Sequence, residues 1–328
     1  NLGSAANGFT KRNKEITIRA MKKFFIAVGG ILTAAVVFLF VLQLQSDSPL
    51  FTANGAKNLM NKAESAVGAI KNAALSLKDV QTAAIKITPP PTIKMKNGED
   101  GILVPILVYH RIGFAPANAT SAYKSFLIEP EWFEKHLQYL KDNGFEAIQY
   151  ADLINYMDYG APLPAKPVMI NFDDGFTNAY DVVFPILKKF NMKATLFVIT
   201  NSVGHGLYAS WDQLKEMQKS GLMEMGSHTL WHPYLTKSGK AVKEITESKQ
   251  KLGKELGVQI DAFAYPYGDW NENVAKMVKD AGYKIGRSFS TGNGINENNR
   301  FHVPVVRVYA SVGLERWKSQ LFPGETSN

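Results

Sequence analysis

From Ile102 onward, runs of consecutive apolar residues alternate with stretches whose apolar positions recur every three or four residues. The runs at 102–110 (ILVPILVYH), 166–173 (KPVMINFD), 193–199 (KATLFVI), 222–228 (LMEMGSH), 262–266 (AFAYP) and 283–289 (YKIGRSF) read as strands. Residues 129–144, 178–191, 210–221, about 240–256 and 271–282 read as helices, several of them ending at Gly or Asn. Strands that are apolar throughout are buried on both faces, and strand-then-helix alternation supplies the covering layer. About seven such units over the last two-thirds of the chain suit an α/β barrel better than an open sheet. In such a barrel the chemistry collects where the strands leave the core at their carboxyl ends.

The pattern before Ile102 differs. Residues 24–44 (FFIAVGGILTAAVVFLFVLQL) carry a single Gln and no charge, and match the roughly 20 residues needed to cross a hydrocarbon core. Lys11, Arg12, Lys14, Arg19, Lys22 and Lys23 precede this run and Asp47 follows it, so the expectation is a signal anchor with residues 1–23 cytoplasmic and the rest of the chain outside. Secretion after signal cleavage is the alternative, although no small-residue cleavage site follows. Met21-Lys22-Lys23 also reads as a natural start. Over residues 45–100, Leu59, Ala63, Ala66, Ile70, Ala73, Leu77 and Val80 follow a 4,3 spacing, which fits a helical stalk with weak capacity to self-associate. Pro89-Pro90-Pro91 stops it, and residues 92–101 read as an exposed linker to a domain at 101–328.

Composition narrows the function classes. With 45% hydrophobic and 20% charged residues among 328, the chain has an ordinary globular make-up. The net charge of +8 is uneven: residues 101–328 hold 24 basic against 23 acidic side chains, so the excess precedes the barrel and nucleic acid is not an expected partner. Cysteine is absent, which excludes disulfides, thiolate metal sites and a cysteine nucleophile.

The polar residues at the strand ends carry the chemistry. Asp173 and Asp174 end one strand, His110 another and His228 a third, and Tyr265-Pro266-Tyr267-Gly268 turns after a fourth. His228 and His232 are four apart, a spacing that lets two imidazoles face one cation, although two unrelated histidines would look the same. A carboxylate from a neighbouring strand would complete a three-ligand hydrolytic site with open positions. Adjacent Asp residues then make sense if one ligates a divalent cation and the other accepts a proton. A capping turn is the other reading of Asp-Asp-Gly. Trp211, Trp231, Tyr234 and Trp270 lie near the same ends and could stack on sugar rings or pack in the core. His136, within a helix, and His205, in a glycine-flanked loop, read as solvent-facing.

NFDDGF, SHTLWH and YPYG, in that order, resemble the first three motifs of the polysaccharide deacetylases of carbohydrate esterase family 4, the NodB-homology domain, over residues 101–310. The resemblance implies a distorted (β/α)7-type barrel and a metal-dependent hydrolase that removes N-acetyl groups from N-acetylglucosamine polymers. By motif position Asp173 is the general base, Asp174, His228 and His232 bind the metal, usually zinc, and Tyr267 lends its backbone N–H to an oxyanion hole. Two features depart from the pattern. The usual third-motif Arg falls at Ala264, leaving Arg287 or Arg307 to reach in from later strands. No Leu-x-His motif follows either, whereas LVYHRI supplies His110 ahead of the Asp pair, an order resembling the circularly permuted poly-β-1,6-N-acetylglucosamine deacetylases of biofilm formation. His110 is then the candidate acid. Because Ala264 replaces the Arg, a tethered glycan-binding protein without turnover stays open, as does a metal hydrolase of another C–N amide bond.

Overall fold

The computed structural model of the chain describes residues 89–95 and 97–321. The expected membrane span at 24–44 and the stalk from Leu59 to Val80 lie outside the described residues. Among those described, no helix is long and apolar enough to cross a membrane.

Seven parallel strands form the barrel: β1 (Ile106–Tyr109), β2 (Pro167–Phe172), β3 (Ala194–Val198), β4 (Met223–Ser227), β5 (Ala262–Ala264), β6 (Ile285–Thr291) and β7 (Val303–Arg307). Each pairs with the next, and β1 closes the ring by pairing with both β2 and β7, with Leu107 opposite Ile170 on one side and Val306 on the other. Closure leaves these strands no free edge. Alternate residues point to opposite faces, which divides the core in two. Ile106, Val108, Met169, Phe197, Ala262, Ala264, Ile285, Val303 and Val305 fill the inside. Leu107, Tyr109, Ile170, Phe172, Leu196, Val198, Met225, Phe263 and Val306 point outward under the helices.

The helices are α1 (Pro130–Asp142), α2 (Tyr150–Tyr159), α3 (Phe184–Phe190), α4 (Trp211–Lys219), α5 (Ala241–Leu256), α6 (Glu272–Asp280) and α7 (Leu314–Leu321). A single further turn of helix spans Ser121–Ser125. Of the seven longer helices, five match those expected from periodicity. The other two, α2 and α7, and the last strand β7 were not anticipated, for physical reasons. β7 is five residues with Pro304 inside it, α7 is eight residues, and α2 buries only Tyr150, Leu153 and Ile154 of its ten. Helix α2 does not cover a strand from outside. Its Tyr150, Leu153 and Ile154 join the interior cluster from the amino-terminal end, and the half-buried Glu224 carboxylate accepts from the Tyr150 and Ala151 N–H groups at 2.8 and 3.1 Å. The Tyr150 hydroxyl then donates to Asn171 Oδ1 at 2.8 Å inside the barrel. The end away from the chemistry is thereby closed.

Two expectations are corrected here. Residues 92–101, expected as an exposed linker, form an antiparallel hairpin: Thr92–Lys94 pairs with Asp100–Leu103, which pairs in turn with Gly294–Ile295. The turn is set by Gly98 at φ +81°, and Gly294 leaves room for Met95, whose Cγ would lie 2.8 Å from any Cβ there. His136, expected to face solvent, is 2% exposed, with its ring stacked on Trp317 at 4.1 Å and Nδ1 3.0 Å from the Tyr109 hydroxyl. The helical period places His136 with Phe133, Leu137 and Leu140 on the buried stripe, and the ring follows that stripe.

Candidate active site

Parallel strands deliver their last residues to one mouth, and the polar motifs meet there. Asp173 and Asp174 follow β2, His110 follows β1 and His228 follows β4. Asp174, Thr229, His232 and Tyr267 all have positive φ, from +59° to +77°. A left-handed backbone in a residue with a side chain costs about 1 kcal/mol or more, and four such residues around one mouth mark it as a place where backbone strain is maintained. The strain aims the side chains.

The carboxylate Oδ1 of Asp174 lies 3.7 Å from Nε2 of His228 and 3.7 Å from Nε2 of His232, and the two nitrogens are 3.1 Å apart. A tetrahedral ion with ligand bonds of about 2.0–2.1 Å separates its ligand atoms by roughly 3.3 Å, so the three spacings suit a shared cation. Protonation agrees. His228 Nδ1 is 2.8 Å from the Ala264 carbonyl, which can only accept, so the proton sits on Nδ1 and the Nε2 lone pair faces the other two groups. Burial depresses the His228 imidazole to about 3 and lowers that of His232, leaving both rings neutral at pH 7. Burial, helped by the Asp173 charge, pushes the Asp174 carboxyl up to about 7. A partly buried carboxylate and two neutral imidazoles this close together suit a positive charge between them, and a divalent ion of the zinc type fits that donor set.

Asp173 is held differently. Its Oδ1 receives Arg287 Nη2 at 2.5 Å, and both side chains are almost fully buried. Desolvation pushes the Asp173 carboxyl up, but Arg287, with lesser help from His228 and His110, outweighs it and keeps the carboxylate below its ordinary range. Its other oxygen faces His110 Nε2 at 4.0 Å, a gap too wide for a hydrogen bond. Burial brings the His110 imidazole down to about 4, opposed by Asp173, and its ring is set by Phe126 at 4.5 Å and Phe289 at 6.1 Å.

Arg287 also resolves the open question at Ala264. The two residues are Cα partners on adjacent strands, Ala264 on β5 and Arg287 on β6. Such partners sit about 4.8 Å apart, so a guanidinium launched from one strand reaches the place the other would serve. The cation is present, delivered from the next strand. Arg307, the other candidate, bonds Thr291 Oγ1 instead at 2.9 Å.

Tyr267 sits in a tight turn closed by Gly268 N to Tyr265 O and Asp269 N to Pro266 O, and its ring lies edge-on to His232 at 4.4 Å. Its backbone is thus set beside the Asp-His-His group. The aromatic candidates divide. Trp231 and Tyr234 are 66% and 47% exposed, and Tyr234 stacks on Tyr267 at 4.0 Å. Trp211 packs half-buried against the helical layer, and Trp270 packs there too while stacking on His302 at 4.1 Å, so packing accounts for both.

Glu244 was missed by sequence reasoning. From α5 its buried carboxylate Oε2 accepts the Leu230 and Trp231 N–H groups at 3.0 and 2.9 Å and so fixes the loop carrying His232. The signal was available, since Glu244 falls on the stripe of Ala241, Ile245, Ser248 and Leu252, where a lone acid needs buried partners. Arg111 was missed as well. Its guanidinium lies 3.6 Å over Phe176 and 4.6 Å over Tyr123, next to His110.

A closed parallel barrel carries an Asp-His-His group that could hold a metal ion, and a buried Asp-Arg pair, at its carboxyl-terminal mouth, a donor set with positions left open as in hydrolytic rather than structural sites. Residues 160–286 match the family described as polysaccharide deacetylase. YxkH of Bacillus subtilis (strain 168), by name a polysaccharide deacetylase, is 31% identical over 207 residues, covering 62% of this chain and 71% of that one. The poly-β-1,6-N-acetyl-D-glucosamine N-deacetylase of Staphylococcus aureus (strain MRSA252) is 29% identical over 241 residues, 66% of this chain and 82% of that one. Among solved structures, the Streptococcus pyogenes deacetylase PplD in complex with acetate superposes with a TM-score of 0.62 at 28% identity, covering 68% of this chain and all of that one. The chain belongs to the polysaccharide deacetylase family, carbohydrate esterase family 4.

Proposed function

We propose that the protein hydrolyses N-acetyl groups from an N-acetylglucosamine-containing exopolysaccharide or peptidoglycan outside the cytoplasmic membrane, using a divalent ion, zinc by its donor set. The observation that carries this is the convergence of Asp174, His228 and His232 within 4.8 Å of one another, beside an Asp173 held by Arg287. When bound, the ion would polarise the acetamide carbonyl and the attacking water.

The chain's own residues do the rest. Asp174, His228 and His232 hold the ion, and Glu244 keeps their loop in place. Asp173 Oδ2 takes the proton from the attacking water, while Arg287 holds Oδ1 so that only one oxygen turns to the mouth. The Tyr267 N–H donates to the oxyanion. His110 enters neutral, takes that proton from Asp173 through water at the mouth, since their 4.0 Å separation holds no direct hydrogen bond, and passes it from Nε2 to the departing amine. Acetate and a free amino sugar result. Trp231 and Tyr234 offer exposed rings for neighbouring sugars. The N-terminal apolar run would anchor the domain to the membrane, with the stalk as spacer and a weak contact between copies.

The test is acetate release from N-acetylglucosamine oligomers of different linkage, with and without chelator, alongside metal content by mass spectrometry. Activity lost to chelator and restored by one equivalent of zinc supports the proposal. A metal-loaded protein that releases no acetate from any oligomer would favour a glycan-binding role, and the Asp173–Arg287 pair argues against that outcome.

A further inference from the structure

A cavity of about 690 Å³ opens between the Thr92–Lys94 strand, the segment after β6, the end of β7 and helix α7. Its walls carry Lys94, Arg307 and Arg316 and no acidic residue. In a domain whose charges otherwise balance, that is a local excess of one sign. Lys94 is engaged by Asp100 at 2.7 Å, but neither arginine has a carboxylate partner among the described residues. Arg307 is held rather than loose, bonded to Thr291 Oγ1 at 2.9 Å with its guanidinium 5.4 Å over the Phe289 ring. Glu315, the acid on α7 nearest in sequence to Arg316, is taken by Lys318 at 2.7 Å.

One ring on one path, and two on another, separate the cavity from the proposed proton donor. Phe289, which carries Arg307 on one side, is edge-on to His110 on the other, and Tyr309, a wall of the cavity, packs at 5.3 Å on Phe126, which packs on His110. A glycan strand with one acetamido group at the mouth is longer than these rings are wide, so sugars next to that group can reach the cavity. Deacetylation turns neutral sugars into ammonium-bearing ones, and unpaired guanidinium groups repel those and attract anions. Guanidinium forks match carboxylate and phosphate oxygens two at a time.

We propose that this groove binds carboxylate or phosphate substituents carried by the same glycan whose acetamido group enters the catalytic mouth. The inference rests on the proposed function for the glycan, while its anion preference is read from the groove alone. The substrate class becomes an anionic, N-acetylated glycan rather than a neutral homopolymer.

The test compares binding of the full zinc-loaded chain to three oligomers of equal length: neutral N-acetylglucosamine, the same chain bearing lactyl carboxylates, and the same chain bearing phosphates. An anionic oligomer should bind about tenfold tighter at low salt, and raising NaCl from 50 to 500 mM should erase most of that preference. The double variant R307Q/R316Q should lose the anionic-over-neutral ratio, with circular dichroism and melting confirming that it folds. Which anionic oligomer gains more decides between carboxylate and phosphate. Equal binding of all three by the wild-type chain, or a ratio unchanged in the variant, overturns the proposal. Loss of acetate release from every oligomer with the binding preference intact would sink the hydrolase reading while leaving the groove assignment standing.

Discussion

Replacing Arg287 with Met tests the arrangement at its most exposed point. The Arg287–Asp173 pair is a 2.5 Å contact between two side chains each under 5% exposed, so removing the cation leaves a carboxylate buried without its charge partner. Breaking one side of a buried pair costs about 3–5 kcal/mol, which for a domain of this size lowers the melting temperature by roughly 10 °C. Activity should fall by about 10²–10⁴ in kcat/KM, the usual worth of a positioned general base. Three further variants separate stability from positioning. Asp173→Asn with Arg287→Met removes both charges, so stability should recover most of the loss while activity stays absent. Ala264→Arg with Arg287→Ala moves the guanidinium to the partner position across the β5–β6 ladder and should regain activity over Arg287→Ala by at least about tenfold, because adjacent strands lie about 4.8 Å apart. Arg287→Lys keeps a charge but loses the fork and should fall between the two. Acetate release and thermal melts report on each. An Arg287→Met protein that melts and turns over like the wild type would refute the account of how Asp173 is held.

Other outcomes follow from the same geometry. Glu244→Ala frees two loop N–H groups and should weaken zinc binding by about 10–100-fold, measured by competition with a chelator, with the barrel's circular dichroism unchanged. Chelation should lower the melting temperature of the wild-type protein, and zinc should restore it, whereas Asp174→Ala should show no zinc-dependent shift. Trp231→Ala should raise KM for longer oligomers with kcat nearly kept, since its ring is exposed at the mouth and meets none of the proton-handling groups. His136, brought down to about 4 by burial, binds its proton less readily in the folded state than the ordinary value of 6.5 allows in the unfolded chain. Between those values the unfolded state holds more protons, so stability rises with pH and is lost on acidification, by about 3 kcal/mol near pH 4. Melts of His136→Phe, which keeps a ring against Trp317, should show a correspondingly smaller acid dependence than wild type.

Strand and helix periods favoured a barrel and put Asp173, Asp174, His228 and His110 at strand ends, and the family resemblance then joined these with His232 into one site. That works because a parallel barrel sends every strand end to one mouth, so local position along the chain implies spatial neighbourhood. The hairpin at 92–103 was not legible, because its pairing partner is Gly294–Ile295, nearly two hundred residues away. Helix α2 buries only Tyr150, Leu153 and Ile154, a stripe too sparse to stand out, and its role as a plug depends on Glu224 and Asn171 from distant strands. His136 was misread for a simpler reason, since polarity was weighed above the stripe it occupies.

The residue types and their order determined the chemistry available, namely two carboxylates, two imidazoles four apart and a glycine-closed turn, because those capacities belong to the side chains themselves. Only the folded barrel decided which carboxylate faces the imidazoles, that the missing arginine arrives from β6, and that Arg307 and Arg316 line one cavity. Register and shear between strands set those facts, and they are properties of pairing across the sheet that no single stretch of chain contains.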